Sequence, residues 1–383
     1  MTVSIWHEMP NPMQVEHDDV VIGAGIVGSY TATLLHERGR DVALVDARFL
    51  AAGASGRNAG FVLTAQRETY PDLIKQLGRK AAHEILTMVR DNVRRMRSLA
   101  NTFNVPLEDG AIHLAETRAE ARELEHWARE LQTDGTTVAF THRDPYGADR
   151  FGGRSYQGYA AMMQVENDFM VHPARLTKAI AATSGATLYD HNEVYAIESA
   201  GEHLVVRGRR ANLRCRQVYI ATNGYGGDLH PYLRRIVRPV RGQILVTTPV
   251  ESVLHVAGIT ENHYFRQLLD GRLFIGGARA FFEAQEYTAE DAVTSNLHRN
   301  LAKYLHRWFP DVEFEVERHW AGIHGFTPDR RVAIGTLPDE KRIALAVGFS
   351  GYGNSIGLVA AERMVEMTLD GRDPGPLSAA RFA

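Results

Sequence analysis

The stretch DVVIGAGIVG (residues 19–28), continued by VALVD (42–46) and GASGRNAGFV (53–62), decides the fold of this chain. Val20, Val21 and Ile22 form a short apolar run suited to a buried strand, and it opens directly into a Gly-x-Gly-x-x-Gly turn. Each glycine has a physical task. Gly23 permits the tight turn, Gly25 lets a pyrophosphate approach the backbone, and Gly28 lets the following helix pack closely on its strand. Val27, Thr31, Leu34 and Leu35 then recur at helical spacing until Gly39. The helix start, carrying Ile26 and Val27, offers unpaired N–H groups and a positive dipole end to phosphates. A second strand at 42–45 delivers Asp46, placed to accept hydrogen bonds from ribose hydroxyls. A glycine triplet alone would say little; strand, turn, helix, strand and acid in this order specify a dinucleotide-binding unit.

The continuation beyond this strand narrows the dinucleotide. After Asp46 come Ala47 and Arg48, then a loop built from Ser55, Gly56, Arg57, Asn58, Ala59 and Gly60. A nicotinamide-binding fold would enter its second crossover helix here. A loop of small residues suits a backbone laid flat against a large planar ligand such as an isoalloxazine ring, with Arg57 and Asn58 beside it. Near the C-terminus the pattern returns. A strand at 343–347 runs into GFSGYGNS (348–355), then a helix from about 356 to 369 that Gly371 ends. Gly348, Ser350, Gly351, Tyr352, Gly353 and Asn354 surround that helix start, whose dipole would stabilise negative charge on a reduced ring.

Composition bounds the rest. The chain has 383 residues, enough for two or three domains, with 44% hydrophobic and 23% charged residues and a net charge of −3. Nothing in that balance favours nucleic acid or an anionic membrane as a partner. No apolar run approaches the roughly 20 residues that span a bilayer. The N-terminal MTVSIWHEMPNPMQVEHDD lacks the basic start and apolar core of a secretion signal. The single cysteine, Cys215, leaves no intrachain disulfide or cysteine-cluster metal site. A cytoplasmic enzyme is the reading, with no metal assigned.

Along the chain, residues 72–103 carry apolar residues at helical spacing, 111–114 read as a strand and 117–132 as a charged helix. From about Phe151 the texture shifts to a short helix (174–182) and short strands near 186–188, 194–197, 204–206 and 218–220. Residues 236–248 begin a strand-rich region. HYFRQLL-DG-RLFIGG (263–277) predicts a hairpin with a type I′ turn at Asp270-Gly271. Thr288 and Asp291 predict the cap of a helix carrying Val293, Leu297, Leu301 and Trp308. The expected class is mixed α/β and α+β: a discontinuous Rossmann-like domain (1–70, 145–232 and 320–383) with an antiparallel-sheet substrate domain (71–144 and 233–319) threaded through it.

GAGIVG, GASGRNAGFV, DFMVHP, ATNG, PVRGQ, YFR…DGRLFIGG, WAGIHGFTPD and GFSGYG occur in an order that resembles the D-amino-acid oxidase and sarcosine/glycine oxidase family, nearest its glutamylputrescine-oxidase-like branch. The resemblance covers nearly the whole chain. It implies FAD, held also by Ala221, Thr222, Asn223 and Gly224 of the ATNG strand end and by Val194, beneath an antiparallel sheet that roofs the flavin. It also exposes departures. Relatives with histidyl-linked flavin have a histidine where Arg57 stands, and those with cysteinyl-linked flavin a cysteine near Gly322, so FAD is expected to be non-covalent. Glycine-oxidase-type relatives place a carboxylate-binding arginine where this chain has His324. The sarcosine-type lysine is replaced near Ser355, and Tyr352 stands where a histidine is usual.

The implied chemistry is oxidation of an amine or amino-acid-derived C–N bond, by hydride transfer to flavin N5 and hydrolysis of the imine, with O2 (giving H2O2) or another acceptor reoxidising the flavin. On this reading Arg266, sharing a strand face with Tyr264, is the candidate anion clamp, and His324 and Tyr352 complete the catalytic candidates. Arg241 and Gln243 are expected to brace the sheet. A dehydrogenase with another acceptor and a non-catalytic flavoprotein remain open. An aromatic hydroxylase-type monooxygenase does not fit, because its Gly-Asp pair is replaced by Val347-Gly348-Phe349-Ser350.

Overall fold

The structure, a computed structural model, describes residues 13–65, 68–142 and 159–383. The domain boundary expected near residue 145, the change of texture at Phe151 and the chain before residue 13 lie outside the described residues.

The nucleotide unit forms as its glycines and apolar runs dictate. Its sheet is ordered Thr187–Tyr189, Val42–Val45, Asp19–Ile22, Gln217–Ile220, Ile343–Val347 and Ala333–Thr336, the first five parallel and the last antiparallel. Its central strands are buried on both faces, which is why they read as continuous apolar runs rather than alternating ones. One face carries the helices Ile26–His36, Arg79–Thr102 and Gly353–Asp370. The other carries a four-stranded sheet that includes Ala211–Cys215, with Cys215 buried in its apolar layer.

Residues 72–103 form two helices rather than one, Tyr70–Leu77 and Arg79–Thr102, because Gly78 takes a left-handed φ of +80° between them. The longer helix packs Met88, Val89 and Val93 toward Gly353–Asp370. Its buried Asn92 donates to the Asn354 carbonyl at 2.7 Å and accepts from Leu358 N at 2.8 Å. So residues 79–102, expected in the substrate domain, pack in the nucleotide half. Conversely Ala161–Val165, within the expected nucleotide segment 145–232, hydrogen-bonds into the large second sheet. Periodicity reveals that a helix has an apolar face; it does not reveal which surface covers that face.

That second sheet has eight strands, ordered Val316–Phe326, Arg238–Pro249, Arg272–Gly277, His263–Gln267, Ala257–Ile259, Ala111–Ala115, Ala161–Val165 and Val138–His142. The hairpin between His263–Gln267 and Arg272–Gly277 is present, but its turn is not type I′. Only Gly271 has positive φ, +88°, and Gly271 N bonds Leu268 O while Leu268 N bonds Arg272 O. This is a turn closed by one left-handed glycine, the three-residue hairpin loop. The helix expected to start at Thr288 instead runs Ser295–Trp308 with Thr294 at its N-cap, since Asp291 is engaged elsewhere. Arg241 and Gln243 do brace the sheet. Both bond Glu286, which is wholly buried, Arg241 Nε at 2.9 Å and Gln243 Nε2 at 2.8 Å, and Gln243 also accepts from Thr294 N. This node ties the helix to the sheet it covers.

Asp168, from the DFMVHP segment, is buried at the junction of the two halves. One of its oxygens accepts from Thr64 N at 2.7 Å and the other has no partner. Burial pushes its pKa up from 3.8 to about 7. The folded protein therefore keeps a proton on Asp168 that the unfolded chain loses above about pH 4. This group's contribution to stability falls as pH rises through that window and is constant above it. Asp168→Asn keeps the acceptor for Thr64 and should flatten the stability profile between pH 4 and 7. Urea melts across that range check it; an unchanged slope would show that another group carries the pH dependence.

Candidate active site

The strands Asp19–Ile22, Val42–Val45, Gln217–Ile220 and Ile343–Val347 are parallel, so their C-terminal ends lie along one rim. Between that rim and the eight-stranded sheet lies a cavity of about 1280 Å³, beyond the 300–1,000 Å³ usual for a small-ligand site.

The rim side is built largely from residues the sequence singles out. Gly23, Gly25, Ile26 and Val27 line the cavity at the first turn, with Asp46, Ala47 and Arg48 at the end of the neighbouring strand. Gly25 is the N-cap of its helix and Tyr352 the N-cap of Gly353–Asp370. Neither N-cap residue uses its own side chain; at the first start Ile26 N donates to Ser55 Oγ at 2.9 Å, and both helix starts direct their positive dipole ends toward the cavity. Asp46 accepts from Ala24 N and Arg48 N, each at 2.9 Å, locking the two strand ends together. Ser55, Arg57, Asn58 and Ala59 also line the cavity, as do Val194, Ala221, Thr222 and Asn223. Ser350, Gly351, Tyr352, Gly353 and Asn354 close the far end.

Five predicted glycines do not reach the cavity. A Cβ on Gly28 would lie 1.9 Å from Gly23 O, one on Gly56 2.1 Å from Ala51 O, and one on Gly60 2.1 Å from Val171 O. A Cβ on Gly224 would meet His324 O at 2.5 Å, and one on Gly348 the Thr327 side chain at 2.3 Å. These positions need glycine because another chain segment passes there, so their contribution to the site is packing.

Arg266 is also corrected. It is 6% exposed, absent from the cavity wall, and set beyond the cavity's edge, where it bonds the Glu108 carboxylate and Ala59 O. Alternation put it on the face of Tyr264, but in a hairpin strand only some of that face meets the ligand space. Arg57 and Asn58 line the cavity while holding its walls. Arg57 donates to Ala52 O, Ala321 O and Asp291, and Asn58 bridges Gly60 N and the Asn354 side chain.

The roof comes from the other sheet. Tyr264 and His324 face the cavity, and glycines make room for both rings. A Cβ on Gly276 would lie 2.4 Å from the Tyr264 hydroxyl, and one on Gly242 2.5 Å from His324 Nε2. Burial, with a smaller push from the Arg279 charge, lowers the His324 pKa to about 4. Burial raises that of Tyr264 to about 12, against the pull of Arg279. Both are therefore neutral hydrogen-bonding groups near pH 7. Arg279, Phe326 and Asp291 escape a sequence reading. The only hint of Arg279 is its place after Gly276-Gly277 at a strand end, and Asp291 matters because it pairs with Arg48 at 3.3 Å and Arg57 at 2.6 Å.

The residues fit a dinucleotide. Two helix starts and an acid at a strand end line one space of about 1280 Å³. Comparison with known proteins agrees. Residues 18–367 match the family described as FAD dependent oxidoreductase. The chain is 26% identical over 371 residues to a probable oxidoreductase OrdL of Rhizobium meliloti, covering 92% of this chain and 83% of that one. It is 23% identical to gamma-glutamylputrescine oxidoreductase of Escherichia coli, covering 91% and 83%. Among solved structures it superposes on glycine oxidase from Geobacillus kaustophilus with a TM-score of 0.81 at 20% identity, covering 96% and 98%. On L-proline dehydrogenase from P. horikoshii the TM-score is 0.80 at 19% identity, covering 97% and 98%. No helix among the described residues is long and apolar enough to cross a membrane, and they contain no cluster of metal ligands.

The two glycines flanking His324 separate packing from pocket shape. Gly224→Ala meets backbone and should cost about 1–3 kcal/mol in urea melts, whereas Gly242→Ala meets a ring that can turn and should cost less. Equal losses would mean that His324 is as rigidly held as the strand bearing it.

Proposed function

The chain belongs to the FAD dependent oxidoreductase family, and we propose that it oxidises the C–N bond of a secondary amine or an N-alkylated or larger amino-acid derivative, with O2 as the acceptor that restores the flavin. The observation that carries this reading is the roof. Tyr264 and His324, both neutral near pH 7, face the same space as the two helix starts.

FAD bound in the cradle supplies the two-electron acceptor, and the chain supplies binding, orientation and electrostatics. Gly25 and the start of Ile26–His36 would hold the pyrophosphate, and Asp46 the ribose. The start of Gly353–Asp370 would face the ring's pyrimidine edge. Arg57 lies against Gly322, 3.3 Å from its Cβ position, and neither residue can form a thioether or histidyl link. Cys215 is buried in a separate sheet, its thiol pushed up to about 12. These three positions support FAD held without a covalent bond, since they are the ones the resemblance to covalently linked relatives singles out.

The substrate's amine enters beneath Tyr264 and His324, neither of which carries a charge near pH 7. A cationic amine is disfavoured there both by burial and by Arg279, so the neutral amine is the reactive form and no side-chain base is needed. His324 and Tyr264 can hydrogen-bond and orient the substrate, while the sheet excludes water. With His324 in place of the arginine of glycine-oxidase-type relatives, a small α-carboxylate loses its usual partner. Glycine and D-alanine should therefore be poor substrates.

The test is anaerobic bleaching of the yellow protein by a panel of secondary amines, N-alkylated amino acids, glycine and D-alanine across pH, followed by readmission of O2. Bleaching by the larger amines, with a rate that rises as the amine loses its proton and with peroxide formed on reoxidation, is expected. The acid limb should persist in His324→Gln, because that imidazole is already neutral above about pH 4. Fast turnover of glycine or D-alanine, or a panel that leaves the flavin oxidised, would overturn the reading.

A further inference from the structure

We infer that the far end of this cavity, beside His113 and Trp127, holds a protonated amine at the distal tip of an elongated substrate. The inference rests on the reading of the cavity as an amine-oxidising site and names the substrate class: an amine that carries a second, cationic nitrogen on an apolar arm.

The sheet lays out the path. Tyr264 is the register partner of Ile259, and Ile259 of His113, so the three form one row across adjacent strands, and all three line the cavity. At about 4.8 Å per strand, His113 stands roughly 10 Å beyond Tyr264. Ile259, between them, packs with Phe61 and Leu63, which also line the cavity. That stretch suits methylene groups and disfavours a charge.

The row ends on two buried polar rings. His113 is 7% exposed and Trp127, from the helix Arg118–Thr133, is 8% exposed; the rings meet at 65° with centres 5.1 Å apart. Both side chains line the cavity, and neither His113 Nε2 nor Trp127 Nε1 has a hydrogen-bond partner among the described residues. Unpartnered polar groups this deep are uncommon. Burial lowers the His113 pKa to about 4, so near pH 7 the imidazole is neutral and does not repel a cation. An indole is the best aromatic platform for an ammonium group.

The sign of the charge changes along the cavity. Ile259 and His113 are parallel partners, so residues 260–262 leave the sheet beside 114–117, where the helix Arg118–Thr133 begins. The acids that line this end are Asp72, Glu120, Glu123 and Glu261, with exposed His126 and with His263, which burial keeps neutral by lowering its pKa to about 4. Asp72 and Glu120 cap their helices through Thr69 and Thr117. Glu123 and Glu261 are exposed and have no hydrogen bond or ion pair among the described residues. The cavity's arginines belong to its other end. Arg48 and Arg57 share Asp291, Arg279 stacks on Phe326 in the strand at the opposite edge of the sheet, and Arg330 lies in the turn after it. Arg307 is paired with Glu116, and Arg118 and Arg122 do not line the cavity.

The experiment measures binding rather than turnover. The holoenzyme is reduced beforehand, kept anaerobic and titrated by calorimetry with N-methyl-1,8-octanediamine and with N-methylnonylamine. The two have the same length, and only the first ends in a second nitrogen, roughly 10 Å from its other nitrogen when extended. The native protein should bind the diamine roughly tenfold more tightly, the scale of one ammonium on a partly desolvated aromatic face. An arm site that is merely apolar gives the reverse order. Glu123→Gln combined with Glu261→Gln should weaken the diamine severalfold and narrow the preference, and Trp127→Leu should abolish it. The exposed glutamates keep the test decisive if the core substitution fails to fold. Equal or tighter native binding of N-methylnonylamine, no saturable diamine binding, or a full diamine preference in either variant would each overturn the assignment. Bleaching of the oxidised protein by the amine panel is scored separately. A native protein that no amine reduces but that prefers the diamine keeps the arm site and loses the reaction. One that amines reduce, with no preference for the diamine, keeps the reaction and loses the arm site.

Discussion

Five parallel strands require crossover connections, and that constraint places all their C-terminal ends on one rim, where no further strand can satisfy the exposed backbone. The rest of the molecule follows from how that rim is closed. The turns after Ile22, Ile220 and Val347 are rich in small residues, two helices start there, and Asp46 ties the first turn to the second strand at 2.9 Å. A site for an anionic, extended cofactor is the consequence of this topology, before any side chain contributes chemistry.

The second sheet contributes the chemistry by removing charge. It lays Tyr264 and His324 over the rim on strands whose neighbours are glycines, and burial then holds one side chain protonated and the other unprotonated across the neutral range. Rigidity comes from behind. The Arg241–Glu286–Gln243 node and the Asp291 bridge to Arg48 and Arg57 couple the roof to its supporting helix and to the rim. Breaking a buried pair such as Arg241–Glu286 by removing one partner is generally expensive, about 3–5 kcal/mol, so this coupling is firm rather than incidental.

What was legible in the sequence is what local rules determine. The glycine spacing, the apolar runs at 20–22 and 343–347 and the acid at 46 each follow from chain geometry, and they located the cradle. Legibility failed wherever two distant segments decide the outcome. Gly28, Gly56, Gly60, Gly224 and Gly348 look like ligand contacts in a motif, yet the obstacle at each is a neighbouring piece of the protein. Arg266 lies on the expected strand face but beyond the cavity's edge, beside a glutamate 158 residues away in the chain. Arg279 was invisible because its position depends on two left-handed residues at a strand end, which no periodicity encodes. The Asp270-Gly271 turn shows the same limit at short range, since one left-handed residue was present where two were expected.

The most direct test of the central claim is flavin stoichiometry in Gly25→Val. Gly25 has an ordinary φ of −83°, and the atom nearest its missing Cβ is the Ser55 hydroxyl at 2.8 Å, so the chain can accommodate a side chain there once that hydroxyl turns away from Ile26 N. A bound pyrophosphate cannot. The account predicts a folded, colourless Gly25→Val protein with an intact far-ultraviolet spectrum, whereas Asp46→Ala retains part of its FAD. In the native protein all the flavin should come free on acid denaturation. A Gly25→Val protein that purifies with a full complement of FAD would contradict the assignment of this turn as the phosphate cradle, and with it the site built around it.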